Sequence, residues 1–335
     1  MTRKTKGAGD GTFVNAIRAG IRDLRNPKAA DVSPVPADVR IDGKTCLVTG
    51  ANSGLGRAAA VELAKRGGNM ILACRPGHAE TCSEIKRLSG SKTVEVMEVD
   101  LADLDSVHRF CDRLRERSIR IDIALINAGL MPRRSRKTPQ GYEMMFAVHF
   151  LSNRVMIDRW LREGVIRPAN RGARPPRIVF IASESHRSSH GIDFDRFGAY
   201  AEYGMRESLK FYGVSKLVMC TFATELSRRL NPASRVDVAV HAMCPGGVDT
   251  NISRDTPILL RPIVKPLLRH FFQSPEEAVG PVVYLCCAEE AGHATGMYLH
   301  MMRRKPVSQT ASDPVSGARL WEESEVLLKK SRESR

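Results

Sequence analysis

The chain has 335 residues, 42% of them apolar and 27% charged, so it can bury a large core and has the composition of a soluble globular protein. Its net charge of +15 suits an anionic partner, but the basic clusters lack the interleaved aromatic residues that stack on bases, which argues against nucleic acid. The eight cysteines form no C-x-x-C pair and have no histidine at zinc spacing, which argues against a metal and fits a reducing, cytoplasmic environment.

Residues 1–40 form a basic extension ahead of the first predicted strand. Residues 13–25 have an apolar helical face opposite a basic one, which predicts an amphipathic helix. The apolar residues are Phe13, Ile17, Ile21 and Leu24, and the basic residues are Arg18, Arg22 and Arg25. Such a helix packs on its own protein or a partner subunit, or lies peripherally on an anionic membrane. Residues 31–39 are predicted to be a linker, and no apolar run of about 18 residues is present to span a bilayer.

The segment KTCLVTGANSGLGR, residues 44–57, predicts a buried strand, a glycine turn and the start of a helix. Gly50 lets the chain turn, Gly54 lets the backbone approach a pyrophosphate, and Gly56 lets the helix pack closely on the strand. Free N–H groups and the helix dipole attract phosphates at this point. The predicted phosphate-binding residues are Gly50, Asn52, Ser53, Gly54, Leu55, Gly56 and Arg57.

Downstream, strand-like and helical segments alternate, which predicts an α/β fold: a doubly wound parallel sheet of Rossmann type with helices on both faces. Later strands are predicted at 70–74, 94–99, 123–127, 177–182 and 236–243, and helices at 58–65, 104–117 and 217–230. A dinucleotide-binding domain is predicted over 41–300, followed by a C-terminal extension over 301–335. Ligands of such sheets bind at the carboxyl ends of the strands, where Gly50, Asp100, Asn127 and Ser183 fall.

Tyr212 and Lys216 are four residues apart at the start of a predicted helix, so their side chains share one face. An ammonium beside a phenol favours the phenolate and lowers its pKa toward the range where the hydroxyl exchanges protons near neutral pH. Tyr200 and Tyr203 have no cation at this spacing. On its own, such a pair more often marks a surface tyrosine beside a solvated lysine.

A set of motifs in a fixed order resembles the short-chain dehydrogenase/reductase family over about residues 42–300. These motifs are Thr49 to Gly56, Asp100-Leu101, Asn127-Ala128-Gly129, Ile181-Ala182-Ser183, Tyr212-x-x-x-Lys216 and Pro245-Gly246. Finer motifs are similar to the retinol-dehydrogenase-like branch of that family. They are Ala73-Cys74-Arg75, residues 127–131, Gly141-Tyr142-Glu143 and Leu320-Trp321-Glu322.

The resemblance implies a nicotinamide enzyme in which Tyr212 is the general acid/base. It also implies that Lys216 lowers the pKa of that tyrosine and holds the nicotinamide ribose, while Ser183 binds the carbonyl or alkoxide oxygen. Ser185 is a rival for the serine role. The implied cofactor contacts are Asp100 and Leu101 by the adenine, Asn127, Ala128 and Gly129 at the sheet end, and Pro245, Gly246, Val248 and Thr250 around the nicotinamide.

One position departs from the family pattern. The family usually has an asparagine before the fifth strand that holds a water in the proton path, and the corresponding residue is His149, with Asn153 as a weaker substitute. A neutral histidine can also hold a water, and its ordinary pKa of about 6.5 would add pH dependence. A histidine with only a packing role is an equal alternative.

The second strand indicates the cofactor. Arg75 follows it with no acid before Glu80, and Arg57 is a second cation, which favours NADP(H) over NAD(H). Residues 257–272 are apolar and basic, and the resemblance places a mobile substrate lid near 250–272. The sequence therefore predicts hydride transfer between NADP(H) and a carbonyl or alcohol of a small, fairly apolar substrate. The alternative is a catalytically weak sensor or interaction protein, and a homo-oligomer through the helices around Tyr212 is an open expectation of the resemblance.

Overall fold

Strand order determines where the site lies in this fold. The structure, a computed structural model, describes residues 31–170, 173–189, 191–232, 235–248 and 273–333. Its sheet has the order β3-β2-β1-β4-β5-β6-β7-β8, and all neighbours are parallel except β7 and β8. The strands are β1 (Thr45–Thr49), β2 (Asn69–Cys74), β3 (Val94–Glu98), β4 (Ile123–Ile126), β5 (Arg177–Ile181), β6 (Ala239–Cys244), β7 (Tyr298–His300) and β8 (Arg303–Arg304). This confirms the predicted doubly wound sheet of Rossmann type.

Helices cover both faces of the sheet. They are α1 (Gly54–Lys65), α2 (Glu80–Ser89), α3 (Leu104–Glu116), α4 (Ser152–Arg162), α5 (Met205–Leu230), α6 (Gly280–Cys287), α7 (Glu289–Gly292), α8 (Gln309–Ser312) and α9 (Pro314–Glu333). A short turn (Met144–Phe146) and a π-helical turn (Ala147–Leu151) precede α4, and a 3-10 turn (Glu184–Ser188) follows β5. One apolar cluster joins the sheet to α3, α4, α5 and α9, and a second joins it to α1, α2 and α6.

The carboxyl ends of β1, β4, β5 and β6 lie side by side. Their register pairs Ile126 with Phe180 and Ile181 with Met243. Sequence order reverses between β1 and β4, because the chain builds β2 and β3 on one side of β1 and the later strands on the other. Such a reversal leaves a crevice at the strand ends, which is where ligands of this fold bind.

Helix α5 begins at Met205, about two turns before Tyr212, whereas the sequence predicts its start at Tyr212. The sequence does not predict the earlier start because Gly213 lies inside the helix, and glycine is unfavourable in helix interiors. Packing explains the glycine: a Cβ at Gly213 would lie 3.0 Å from the carbonyl oxygen of Ser185 and 2.9 Å from Oγ of Ser188. The 3-10 turn after β5 can therefore approach α5 closely.

Residues 31–41, which include the predicted linker, pack on the domain. Arg66 is buried and donates hydrogen bonds to the carbonyl oxygens of Pro36 (2.7 Å) and Val39 (2.9 Å), while Val32 is buried among apolar residues of α1 and α6. The prediction of a linker is therefore wrong for these residues. The sequence did not reveal the contact because the anchoring guanidinium comes from the end of α1, outside the segment.

Two predicted elements, the helix at 13–25 and the lid at 257–272, lie outside the described residues. Across the described ranges, no helix is both long and apolar enough to cross a membrane. No group of three or more histidine, cysteine or acidic side chains in those ranges could hold a metal ion.

The eight cysteines form no disulfide bonds. All except Cys82 are buried, where they act as small apolar side chains.

Helix α9 belongs to the core, although the sequence predicts residues 301–335 to be an extension. Leu320 and Leu328 are buried in the same apolar cluster as α4 and α5, and α9 packs along α5. The predicted boundary at residue 300 coincides with the end of β7, so it divides one core rather than separating two units.

A buried arginine joins α4 to α9. The Arg154 side chain is 1% exposed, and it donates from Nε to Ser324 Oγ (3.1 Å) and from Nη2 to Glu325 Oε1 (3.0 Å). Its guanidinium carbon lies 4.1 Å from the centroid of the Trp321 ring, a cation–π contact. A buried charge needs partners of this kind, because leaving it unpaired is costly. Arg154 therefore holds α9 against α4.

Replacing Arg154 should loosen α9. Arg154→Ala removes an ion pair and an aromatic contact at one buried position, so it should lower the free energy of unfolding by roughly 2–4 kcal/mol, measured by urea denaturation. Arg162→Ala is the matched control on α4. That side chain is 49% exposed, so its removal should change the same quantity by under about 0.5 kcal/mol. Equal effects of the two substitutions would contradict the anchoring role of Arg154.

Candidate active site

The turn between β1 and α1 is shaped by two glycines that contact the end of β4. Gly50 has φ of 68°, in the left-handed region, and a Cβ there would lie 3.0 Å from Cα of Ala128. A Cβ at Gly56 would collide with Nδ2 of Asn127 and would lie 2.5 Å from the carbonyl oxygen of Gly50. The first turn of α1 contains no acidic residue, so its N-terminal N–H groups favour an anion.

Thr49 and Asn127 join the ends of β1 and β4. The Thr49 hydroxyl accepts hydrogen bonds from the backbone N–H groups of Asn127 (2.9 Å) and Ala128 (3.0 Å). The Asn127 side chain donates from Nδ2 to the carbonyl oxygen of Thr49 (2.9 Å). The side chain of Asn127 therefore supports the turn from behind. Gly129 continues into the site, where a Cβ would lie 3.2 Å from Nε2 of His149.

The other predicted cofactor-binding residues differ in burial and in their hydrogen-bond partners. The side chains of Leu55 and Leu101 are buried in the apolar clusters, so only their backbones could face a ligand. Asp100 follows β3 and accepts a hydrogen bond at Oδ1 from the backbone of Ala102 (2.9 Å). Asn52 lies beside His78, with 3.3 Å between Nδ2 and Nε2, and Ser53 is the N-cap residue of α1. Pro245, Gly246 and Val248 follow β6, and Thr250 lies outside the described residues.

The two cations near the end of β2 differ in their surroundings. Arg57 forms an ion pair with Glu84, with 2.9 Å between Nη1 and Oε1. Arg75 is exposed, and its side chain makes no hydrogen bond or ion pair with a described residue. The guanidinium of Arg75 is therefore the more available of the two for an anion.

Ser183 and Tyr212 meet at the end of β5. Ser183 follows the strand, and its hydroxyl lies beside the phenol of Tyr212, which is in the interior of α5. Ser185 is one step further away, with 2.5 Å between its Oγ and that of Ser183. Ser183 is thus the serine that contacts Tyr212, and Ser185 supports it.

Burial raises the pKa of Tyr212 to about 12, and the hydrogen bond from Ser183 opposes that rise. The side chain is partly exposed, but surrounding protein excludes much of its water. The sequence predicts the opposite direction, a pKa lowered by Lys216. The lowered pKa is not found in this structure, because Lys216 makes no hydrogen bond with the Tyr212 hydroxyl. The Lys216 Nζ lies 5.6 Å from the centroid of the Tyr212 ring.

Lys216 is a buried cation with spare donors. Its side chain is 3% exposed, and its Nζ donates to the carbonyl oxygen of Ile181 at 2.9 Å. Burial lowers the pKa of Lys216 to about 8. An ammonium has three donors, and the other described neighbour is the weakly accepting sulfur of Met219 at 4.0 Å. The remaining donor capacity suits hydroxyl groups of a bound ligand.

His149 lies in the π-helical turn and is fully buried. Its Nε2 accepts a hydrogen bond from the backbone of Leu130 (3.0 Å), so the proton resides on Nδ1. Nδ1 donates to Ser215 Oγ (2.8 Å), and that hydroxyl donates to the carbonyl oxygen of Tyr212 (2.8 Å). Burial, with repulsion from Lys216 second, holds the pKa of His149 well below its usual value.

The contacts of His149 and Asn153 distinguish the roles expected of them. Both of its ring nitrogens have protein partners, which favours a positioning role over holding a water. Asn153 is directed elsewhere: its Nδ2 donates to the carbonyl oxygens of Val148 (3.1 Å) and His149 (2.9 Å). Sequence reasoning missed Ser215 and Leu130, although Ser215 precedes Lys216 directly and Leu130 follows the Asn127-Ala128-Gly129 motif.

These groups form a continuous edge that fits a nicotinamide dinucleotide. The glycine turn and α1 offer N–H groups for phosphates, and Arg75 adds a cation beside them. Lys216 offers unused donors, while Tyr212 and Ser183 present two hydroxyls that could hold one oxygen atom and exchange a proton with it.

Comparisons with known proteins agree with this fold. A family model described as short chain dehydrogenase matches residues 44–192. Retinol dehydrogenase 13 from Homo sapiens is 35% identical over 306 residues, which cover 88% of this chain and 87% of that protein. Among solved structures, an uncharacterised protein from Mycobacterium paratuberculosis is 26% identical with a TM-score of 0.65, covering 89% of this chain and 98% of that one. The Pseudomonas aeruginosa RhlG/NADP active-site complex has a TM-score of 0.59 at 22% identity, covering 80% and 98%.

The family model covers the glycine turn and strands β1 to β5. The match to Retinol dehydrogenase 13 spans most of both chains. The chain belongs to the short-chain dehydrogenase/reductase family, in its retinol-dehydrogenase-like branch.

Proposed function

We propose that this protein transfers a hydride between NADP(H) and the carbonyl or alcohol group of a fairly apolar substrate, with Tyr212 as general acid/base. The single observation that carries the proposal is the contact of the Ser183 and Tyr212 hydroxyls beside the buried ammonium of Lys216. Two hydroxyls directed at one point can bind the oxygen of a carbonyl or alkoxide, and one of them can exchange a proton with it.

Each residue then has a defined task. NADP(H), when bound, supplies or accepts the hydride. Ser183 holds the substrate oxygen by a hydrogen bond, and Tyr212 gives its phenolic proton to that oxygen in reduction or takes one from it in oxidation. Lys216 would hold the ribose with its unused donors, and its charge would favour the phenolate when the phenol loses its proton.

The raised pKa of Tyr212, about 12, determines which protonation state of the phenol is present near neutral pH. A phenol with a raised pKa is protonated near neutral pH, so Tyr212 is ready to donate a proton to a developing alkoxide. Oxidation of an alcohol instead needs the phenolate and should gain from higher pH. Near pH 7 Tyr212 is therefore in the protonation state that carbonyl reduction requires.

The preference for NADP(H) rests on Arg75. Its guanidinium is exposed and without a described partner at the end of β2, and no acidic residue before Glu80 would repel a 2′-phosphate. The Pseudomonas aeruginosa RhlG/NADP active-site complex, which is similar in fold, contains NADP. Peripheral contact with anionic lipid through residues 13–25 stays a prediction from the sequence.

A second candidate is a cofactor-binding sensor that turns over slowly. The observation that favours it is the occupancy of both His149 nitrogens, which leaves this residue without a free atom for the water that the family asparagine is expected to hold. NADPH binding without reduction of any ketone in a chemically varied panel would favour this candidate over the enzyme.

The role of Tyr212 can be tested directly. Tyr212→Phe should lower kcat for ketone reduction by about 10²–10⁴-fold, because it removes the proton donor, while NADPH affinity measured by fluorescence changes little. Tyr284→Phe, a remote change that removes a hydroxyl bonded to Glu290, should leave kcat near that of the wild type. Near-normal kcat in Tyr212→Phe would sink the assignment.

Cofactor choice can be tested at Arg75. Arg75→Ala should reduce the preference for NADPH over NADH by roughly 1–3 kcal/mol, as expected of a lost charge-assisted contact, measured by titrating both cofactors. Arg87→Ala, at the end of α2, removes the same charge and should leave the preference unchanged. Equal affinity of the wild type for NADPH and NADH would refute the proposal.

The pH profile separates the roles of His149. Its pKa is held well below the usual value, so it stays neutral through pH 6–8 and should produce no inflection in kcat/KM there. His149→Asn should lower kcat/KM by about tenfold, because Asn cannot span Leu130 and Ser215, yet keep the shape of the profile. A wild-type inflection near pH 6.5 that disappears in the variant would show that His149 titrates during catalysis.

A further inference from the structure

A loop leads away from Tyr212 along the first two turns of α5. Near Tyr212, the backbone of Leu130 donates to His149, whose ring lies 5.7 Å from that of Tyr212. Farther out, Ser208 Oγ donates to the carbonyl oxygen of Pro132 (2.7 Å). The loop from 130 to 136 is therefore pinned beside α5 and runs antiparallel to it.

The outer end of this loop is also fixed. The backbone of Ser135 donates to the carbonyl oxygen of Tyr203 (3.1 Å), and the Tyr200 hydroxyl donates to Ser135 Oγ (2.9 Å). The backbone of Met144 donates to the carbonyl oxygen of Arg136 (2.9 Å). These bonds hold the loop in one path from the catalytic tyrosine to the start of α5.

Apolar side chains are exposed along this path. Met131 is 42% exposed on the loop, and Met205 and Leu209 are 67% and 36% exposed on α5. Met205, Leu209 and Tyr212 have the spacing i, i+4, i+7, so they form one stripe of the helix that ends at the catalytic hydroxyl. An apolar molecule with its carbonyl at Tyr212 could lie along this stripe.

The path ends at a basic groove. Residues 133–136 line a groove of about 470 Å³ that does not include Tyr212 or Ser183. The side chains of Arg134 and Arg136 are exposed and make no ion pair or hydrogen bond with a described residue. The nearby carboxylate of Glu143 is already engaged by the Tyr203 hydroxyl (2.7 Å). Glu202, the residue before Tyr203, is exposed, and its single carboxylate cannot balance both arginines.

We propose that Arg134 and Arg136 bind an anionic group, a carboxylate or a phosphate, at the far end of an amphipathic substrate whose carbonyl reacts at Tyr212. The proposal rests on the proposed function and refines it from an apolar substrate to an apolar body with an anionic end. Seven residues of α5 separate Met205 from Tyr212, so the two ends of the substrate are about 10 Å apart or more.

A matched pair of substrates tests the charge. Long-chain methyl ketones with a terminal carboxylate are compared with their methyl esters, using full-length protein and NADPH. The wild type should prefer the acid, and Arg134→Gln with Arg136→Gln should raise KM for the acid by about 10–100-fold, as expected of lost charge-assisted contacts. KM for the ester should change by less than twofold, and kcat should be retained.

A second pair of arginines controls for net charge. Arg109→Gln with Arg162→Gln removes two charges from exposed side chains on α3 and α4, at 63% and 49% exposure. This variant should keep the wild-type preference for the acid. Equal losses in the two double variants, or equal losses on acid and ester, would overturn the proposal.

Within the acid series, kcat/KM should rise with chain length until the carbonyl and the carboxylate of the substrate are about 10 Å apart.

Binding measurements decide the question if no turnover is detected. Isothermal titration of the keto acid and its ester should show tighter binding of the acid, lost in Arg134→Gln with Arg136→Gln. That result with an inactive wild type would refute the enzymatic function and keep the anion site. Sedimentation with phosphatidylserine vesicles completes the test: loss of vesicle binding in the variant without any change in acid binding would assign the groove to a membrane surface and overturn the substrate proposal.

Discussion

The alignment of four parallel strand ends is the constraint on which the site depends. Thr49 joins β1 to β4 through hydrogen bonds to the backbone of Asn127 and Ala128, so the glycine turn is held against the neighbouring strand. Ser183 follows β5, the next strand in the sheet, and is therefore carried to the same edge. Because parallel strands all end on one side, no loop has to reach across the sheet to assemble these groups.

Removal of water shapes the chemistry at this edge. Burial lowers the pKa of Lys216 to about 8 and raises that of Tyr212 to about 12, because each charged form loses hydration. Burial also keeps His149 neutral, with one proton fixed on Nδ1 by its two partners. The site thus combines the Lys216 ammonium, which has unused hydrogen-bond donors, with the protonated phenol of Tyr212 and the neutral imidazole of His149. A bound ligand whose hydroxyl groups accept hydrogen bonds from Lys216 would change this balance, because such bonds stabilise the charged form of the lysine.

Local signals predicted much of the fold and the centre of the site. The glycine turn, the strand ends and the Tyr212–Lys216 spacing each depend on residues close in sequence. Other features depend on distant partners and left no such signal. The contacts of His149 come from Leu130 and Ser215, and helix α6 is apolar on every side, so its periodicity does not separate helix from strand. The direction of the Tyr212 pKa also depended on burial, which a four-residue spacing does not reveal.

Helix α9 changes what the resemblance implies about assembly. The family is expected to pair subunits through the helices around Tyr212, yet in this chain α9 packs along α5, with Leu320 buried in the same cluster. Arg154 crosses from α4 to Glu325 and Trp321, which closes the space between α4 and α9. A partner subunit using that face would have to displace α9 and expose its leucines and a buried guanidinium. The parts of the site described above come from one chain, so their alignment does not require such a partner.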